Sequence, residues 1–370
     1  MDKPEGLSLQ RVVRGDFQMK SYELYRFFAR NSGMPSYVIF HVTSLCNSRC
    51  ITCFNWKNLN KKDELKLDEI GKVSEKMKHI GYLTLGGGEP FLRKDLPEIC
   101  EIFYKNNRAR AFSIPTNGLS PDGIGKTAVG ILEKCPEATV RISLSIDGIG
   151  ELHDRIRGVD GNFEKIKETY NILNTLRKTH DNLRILAATT FCSHNQDKVI
   201  DIYRYIKDEM DIDQYNINYV RGDARNPIVK DVDAGKYEGL VTYIENNMDK
   251  KGNGFIESLF NILPILTRRK VLETLKSEER IYECHAGKRM IVMDSFGNVF
   301  PCEMLSEKLG NLRDYDYDLK KILGLENTRR VLKFIRDKKC NCTWECAIQD
   351  SIVYDYKRYP HILKSVVLNK

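Results

Sequence analysis

Six short apolar runs, each followed by a stretch of helical periodicity, constrain the fold of this chain more than any other feature. The runs are YVIFHVT (37–43), YLTLG (82–86), RAFSIPT (110–116), VRISLSID (140–147), LRILAATTF (183–191) and QYNINYV (214–220). Between them lie LDEIGKVSEKMKHIG, KDLPEICEIFYKN, a stretch around GKTAVGILEK, FEKIKETYNILNTLRK and DKVIDIYRYIKDEM, whose apolar residues recur at helical spacing. Strands that alternate with helices assemble into parallel sheets from repeated βα units. The chain is therefore expected to be α/β. Spacing alone leaves two architectures open, a curved partial barrel and an open doubly wound sheet.

The flanks divide the rest. Residues 1–35 carry an amphipathic segment, YELYRFFAR, expected to form a helical cover. Residues 36–230 hold the βα units and 231–283 read as a helical connector. Residues 284–370 form a cysteine-rich region that opens with RMIVMDSFGNVFPC, a hairpin whose turn contains Gly297 and Asn298. With 370 residues, 41% of them apolar, a substantial core can form. No run approaches the roughly 18 apolar residues of a membrane span. The opening MDKPEGLSLQRVVRGDF lacks the apolar centre of a secretory signal, so a cytoplasmic protein is expected. The net charge of +8 suits an anionic partner, but basic and acidic residues interleave, as in KNLNKKDELKLDE, which argues against nucleic acid.

Eleven cysteines in a reducing compartment point to metal binding or catalysis rather than disulfides. Cys46, Cys50 and Cys53 follow the first strand directly, spaced Cys-x3-Cys-x2-Cys. Loops after strand C-termini build the active sites of βα folds. A closed zinc site or a complete iron–sulfur cluster takes four ligands, so this loop either finds a fourth elsewhere or leaves one position open. Polar motifs close the next three strands: LGGGEP (85–90), PTNG (115–118) and SIDG (145–148), the last followed by LHDRIRG (152–158). Glycines at a strand end admit close backbone approach, and Arg157 can meet a ligand carboxylate.

Together these motifs resemble the radical S-adenosylmethionine (SAM) superfamily over roughly residues 37–220. The resemblance implies a partial (β/α)6, TIM-like barrel in which Cys46, Cys50 and Cys53 hold a [4Fe–4S] cluster. The open iron of that cluster takes the amino and carboxylate groups of SAM. It implies reductive cleavage of SAM to a 5′-deoxyadenosyl radical that abstracts a substrate hydrogen atom, with a donor such as ferredoxin or flavodoxin supplying the electron. By the same resemblance Gly87, Gly88 and Glu89 meet the SAM amino group, Ser145 the ribose or carboxylate, Arg157 the carboxylate, and Asn117 the adenosine side. One position departs from the pattern: many relatives carry an aromatic residue just before the third cysteine, and here it is Thr52, with Phe54 after the cysteine.

A second set comprises Cys284, Cys302, Cys340, Cys342 and Cys346. Cys284-x12-Gly297-x4-Cys302 is similar to the opening of the SPASM/twitch extension, and five cysteines match its single-cluster form. The implied ligands of one auxiliary [4Fe–4S] cluster are Cys284, Cys302, Cys342 and Cys346, with Cys340 the alternative to Cys342. Zinc is the competing occupant, since four thiolates suit either metal. Cys192 closes the fifth strand and is a candidate hydrogen-atom donor or a packing residue. Arg221, Asp223 and Arg225 are candidates for substrate binding or for a domain-interface salt bridge, and His285 for support of the auxiliary site. The expected substrate is a small molecule such as a sugar, cyclitol, lipid or cofactor precursor, the segment before the first strand being short for a peptide-recognition domain. A ribosomally made peptide is the alternative, and a non-catalytic electron carrier a remote third.

Overall fold

The computed structural model describes residues 34–247, 255–277 and 279–355. The expected helix in YELYRFFAR lies outside them. Six strands appear where the apolar runs placed them: β1 Tyr37–Thr43, β2 Tyr82–Gly87, β3 Ala111–Thr116, β4 Thr139–Ser145, β5 Leu183–Phe191 and β6 Gln214–Tyr219. The helices between them are α1 Leu67–Lys76, α2 Leu96–Asn106, α3 Pro121–Lys134, α4 Glu151–Arg157, α5 Asn162–Leu176 and α6 Val199–Glu209.

Strand order decides between the two architectures. β1 to β6 lie side by side in sequence order and pair in parallel throughout. A doubly wound sheet reverses its order at a switch point, whereas a barrel winds in one direction. The six βα units thus form a partial (β/α)6 barrel.

The register sorts the two faces by polarity. Val38, Leu83, Phe112, Val140 and Leu183 are successive partners across five strands, and each is fully buried. This apolar row faces the helices; Phe40 on the same side of β1 meets Phe103 of α2 edge-on, with ring centroids 6.2 Å apart. The neighbouring row, Ile39, Thr84, Ser113, Arg141 and Arg184, lies on the opposite face and is largely polar. Each strand is therefore apolar towards its helix and polar towards the barrel interior, which explains the Ser, Thr and Arg residues inside otherwise apolar runs.

Beyond β6 come α7 Ala234–Asn247 and α8 Phe255–Leu275, then β7 Met290–Met293, β8 Asn298–Phe300 and β9 Gly310–Asn311. The expected hairpin is present: Gly297 turns it at φ +83°, and the Asp294 carboxylate accepts from the backbone N–H groups of Phe296 and Asn298. β7 pairs in parallel with β1, so β7, β8 and β9 extend the barrel sheet to nine strands. The cysteine-rich region is thus joined to the core by a continuous ladder. α9 Leu319–Leu323, α10 Glu326–Arg336 and α11 Glu345–Tyr354 complete it, with α11 packed on α8. Among the described residues no helix is long and apolar enough to cross a membrane.

Candidate active site

The loop carrying Cys46, Cys50 and Cys53 is clamped from four directions. From the end of β2, Gly88 N–H donates to the Thr43 carbonyl (2.8 Å) and Glu89 N–H to the Leu45 carbonyl (2.7 Å). Gly87 sits at φ +110°, and a Cβ at Gly87 or Gly88 would collide with the carbonyls of Thr43 or Leu45. Gly87 and Gly88 of LGGGEP are therefore required by close approach of the chain's own cysteine loop. From the end of β3, the Asn117 amide donates to Asn47 Oδ1 (2.8 Å) and Ser48 Oγ (3.0 Å). From α4, the carbonyls of Arg157 and Ile156 receive Arg49 N–H (3.2 Å) and Ile51 N–H (2.9 Å). From the loop after β6, Arg225 N–H reaches the Cys53 carbonyl and Asn226 N–H the Ile51 carbonyl, both at 3.0 Å.

Behind this clamp runs a buried polar network. Glu89 accepts from Thr116 Oγ1 (2.9 Å), Asn117 N–H (2.7 Å) and Phe91 N–H (3.3 Å), yet burial outweighs these bonds and pushes its carboxyl up to about 7. Asn162 donates to the Asn117 carbonyl (2.8 Å) and meets His153 Nε2 (3.2 Å), whose Nδ1 accepts from Asp147 N–H (3.2 Å). Burial, reinforced by the Arg157 charge, lowers His153 to about 4, so the imidazole is neutral at physiological pH. Glu89 and Asn117, which the resemblance assigns to SAM, act here with His153 as one brace under the loop.

The three thiols are half-buried and close enough to perturb one another. Burial, with Cys50 and Cys46 nearby, raises Cys53 to about 11, and burial raises Cys46. Arg157 supplies the compensating charge. It pairs with Asp147 (3.1 Å), lies near Cys50 and Cys46, and has a buried Nε with no hydrogen-bond partner. Ser145 ends β4, half-buried. Thr52 is buried, and Phe54 lies beneath the Arg221 guanidinium, 5.6 Å from its ring centroid. Cys192 is fully buried in an apolar cluster with Ile156, Val220, Ala224 and Val229, and burial raises its thiol to about 11.

The second set gathers from separate segments. Cys284 precedes β7, Cys302 follows β8, Cys340 and Cys342 lie between α10 and α11, and Cys346 is in the first turn of α11. Besides burial, Cys342 and Cys340 act on Cys284, Cys342 and Cys284 on Cys302, and Cys342 on Cys340, while Glu303, opposed by Arg221, acts on Cys346. Burial raises Cys284 and Cys346 to about 11 and Cys302 to about 12. Four of the five sulfurs have these polar neighbours: Arg280 donates to Cys340 Sγ (3.4 Å), Tyr282 meets Cys342 Sγ (3.3 Å), Tyr37 donates to Cys346 Sγ (3.5 Å), and Leu305 N–H donates to Cys302 Sγ (3.4 Å). His285 packs edge-on against Tyr354.

Across the two sets lies a cavity of about 400 Å³. Its lining includes Phe54, Asn55 and Asn58 of the first loop, Cys302, Glu303 and Met304 of the second region, and His41. Sequence motifs missed His41, Glu303, Glu345, Tyr37, Arg280 and Tyr282. The available signal was adjacency, since Glu303 follows Cys302 and Glu345 precedes Cys346.

The donor chemistry fits iron–sulfur ligation: soft sulfurs, grouped, beside buried cations. Among the described residues no three His, Cys, Asp or Glu side chains converge tightly enough for a single metal ion. A four-iron cluster binds each thiolate to a different iron, so its ligands stand farther apart than those around one ion.

A model of the radical SAM superfamily matches residues 40–214. Over this stretch the chain belongs to that superfamily. It is 27% identical over 299 residues to an AdoMet-dependent heme synthase of Methanosarcina barkeri, covering 76% of this chain and 81% of that protein. It is 22% identical over 292 residues to the subtilosin biosynthesis protein AlbA of Bacillus subtilis, covering 77% of this chain and 59% of AlbA. In fold it is similar to anSMEcpe with bound AdoMet and Cp18Cys peptide, at TM-score 0.59 and 17% identity, covering 90% of this chain and 99% of that one. Like the superfamily, the chain uses SAM and a [4Fe–4S] cluster.

Proposed function

We propose that this radical SAM enzyme oxidises or rearranges a small organic molecule seated in the cavity between its two cysteine sites. Bound at Cys46, Cys50 and Cys53, a cluster with SAM would supply a 5′-deoxyadenosyl radical to remove a substrate hydrogen atom. Four of the five later cysteines would hold one auxiliary cluster. Cys284, Cys302 and Cys346 are common to both sets read from the sequence, and Cys342, with Cys340 as its alternative, is the fourth ligand. The observation that carries the proposal is the cavity of about 400 Å³ lined both by Phe54, which follows Cys53, and by Cys302 of the second set.

The chain's own residues would hold the reaction in place. Arg157, with its unpartnered buried Nε, is the group proposed for the SAM carboxylate. Gly87, Gly88, Glu89 and Asn117 would act mainly by fixing the loop, and Ser145 by lining the ribose side. Cys192, sealed among apolar side chains, is proposed as a packing residue. A low-potential donor such as ferredoxin or flavodoxin would supply the electron, and a cytoplasmic setting suits the reduced thiols.

The small-molecule substrate is supported by the cavity size and by the broad match to the heme synthase. The match to AlbA supports the second substrate class, a ribosomally made peptide. Deuterium transfer decides. Deuterated candidates of both classes are offered to reduced, reconstituted enzyme, and 5′-deoxyadenosine is examined by mass spectrometry. Label from a small molecule supports the proposal, label from a peptide alone replaces its substrate class, and no 5′-deoxyadenosine with any candidate or with SAM alone contradicts the chemistry.

A further inference from the structure

We propose that Arg221 is a positioning residue that couples the two cysteine sites and sets the electrostatic field at the auxiliary one. The inference rests on the auxiliary-cluster assignment above. Arg221 leaves the end of β6, and its side chain is only 16% exposed. Nη1 donates to Glu345 Oε2 (2.6 Å), while Nη2 stands 3.7 Å from Glu303 Oε2. Both carboxylates are held from behind: Glu345 Oε1 accepts from Tyr219 N–H (2.6 Å), and Glu303 Oε1 meets His41 Nε2 (3.2 Å). The guanidinium face lies over Phe54.

Chain neighbours give this arrangement its meaning. Phe54 follows Cys53, Glu303 follows Cys302, and Glu345 precedes Cys346. One planar cation therefore touches the immediate neighbours of three cysteines, one from the first set and two from the second. A stabilising ion pair alone needs a single carboxylate, and a buried one adds little net stability over an apolar replacement. A lysine ammonium cannot reproduce this fork together with stacking on an aromatic ring. A fixed positive charge beside a redox group favours its reduced, more negative form, and a nearby carboxylate opposes it.

The sign of this effect gives the test. Anaerobically reconstituted full-length protein, wild type, Arg221→Met, Arg221→Lys and Glu345→Gln, is analysed for iron and sulfide. Each site is then titrated by electron paramagnetic resonance. Arg221→Met is expected to move the auxiliary potential negative, Glu345→Gln to move it positive, and Arg221→Lys to fall between wild type and Arg221→Met. The first site is expected to move less in all three. Two fully loaded clusters with unchanged auxiliary potentials, or shifts of the same sign in Arg221→Met and Glu345→Gln, would overturn the coupling. Wild-type protein that binds only one cluster would instead overturn the auxiliary assignment on which it rests. If Arg221→Met fails to load, the Lys and Gln variants still carry the opposed signs.

Discussion

The two cysteine sites are built by opposite strategies. Cys46, Cys50 and Cys53 lie within one eight-residue span whose backbone is tied to β2, β3, α4 and the loop after β6. The later cysteines come from three segments spread over more than sixty residues and are steadied largely by side chains, including Arg280, Tyr282 and Tyr37. Backbone clamping presents an open site whose geometry survives exchange of a ligand. Side-chain convergence suits a closed site whose occupant helps hold its walls together.

The largest expected contrast is chemical. Cys50→Ala should reduce 5′-deoxyadenosine formation by at least about 10³-fold, because a cluster short of a ligand loses its ordered open iron. Cys284→Ala should remove roughly half the iron and leave measurable SAM cleavage; equal loss in both variants would erase the distinction between the sites. Next comes the clamp itself. Gly88→Ala drives a methyl group into the Leu45 carbonyl and should cost about 2–4 kcal/mol, read as a lower urea midpoint with weaker iron retention at the first site only. A native-like midpoint would show that the loop yields. Asn117→Ala, which unties Asn47 and Ser48, should cost about 1–3 kcal/mol and weaken SAM binding while auxiliary iron stays constant.

Acid separates the two regions more gently. His153 is held near 4, below its unfolded value of about 6.5, so the unfolded chain takes the proton first. The His153 contribution, present above about pH 6.5, should fall by on the order of 2–3 kcal/mol as pH drops towards 4, while Glu89, raised to about 7, is protonated first in the folded state and offsets much of that loss between pH 7 and 5. Glu69 joins α1 to the segment after β9 through Arg313 (2.7 Å) and Tyr317 (2.9 Å), and chiefly the Arg313 bond holds its carboxyl down at about 2. Its contribution, discounted to about 1–2 kcal/mol by the partly exposed Arg313, should persist to about pH 4.5 and fade towards 2. Urea midpoints of wild type and Glu89→Gln at pH 7, 5 and 3.5 check the order: with the opposing Glu89 gain removed, the brace under the first loop loosens before the tie to the extension. A flat Glu89→Gln profile from pH 7 to 5 contradicts it.

Local chemistry was legible in the sequence and pairing at a distance was not. The strands were placed to within one or two residues because each run alternates towards an apolar helix layer, and the hairpin was marked by its Gly–Asn turn. Four residues, Met290–Met293, are too few to reveal a partner, so the parallel ladder from β7 to β1 was invisible. Glycine marks close approach but does not say what approaches; at Gly87 and Gly88 it is the cysteine loop. Arg221 could equally have faced a substrate or an interface. Its partners lie 82 and 124 positions downstream, at Glu303 and Glu345, and only the folded chain brings them together.

Electron paramagnetic resonance of the reduced wild-type enzyme, recorded before and after addition of SAM, tests the contrast between an open and a closed site most directly. Two cluster signals are expected, with about eight irons per chain, and SAM should shift only the signal that Cys50→Ala abolishes. A response of both signals, of neither, or of the signal that depends on Cys284 would contradict the assignment of the open site to Cys46, Cys50 and Cys53.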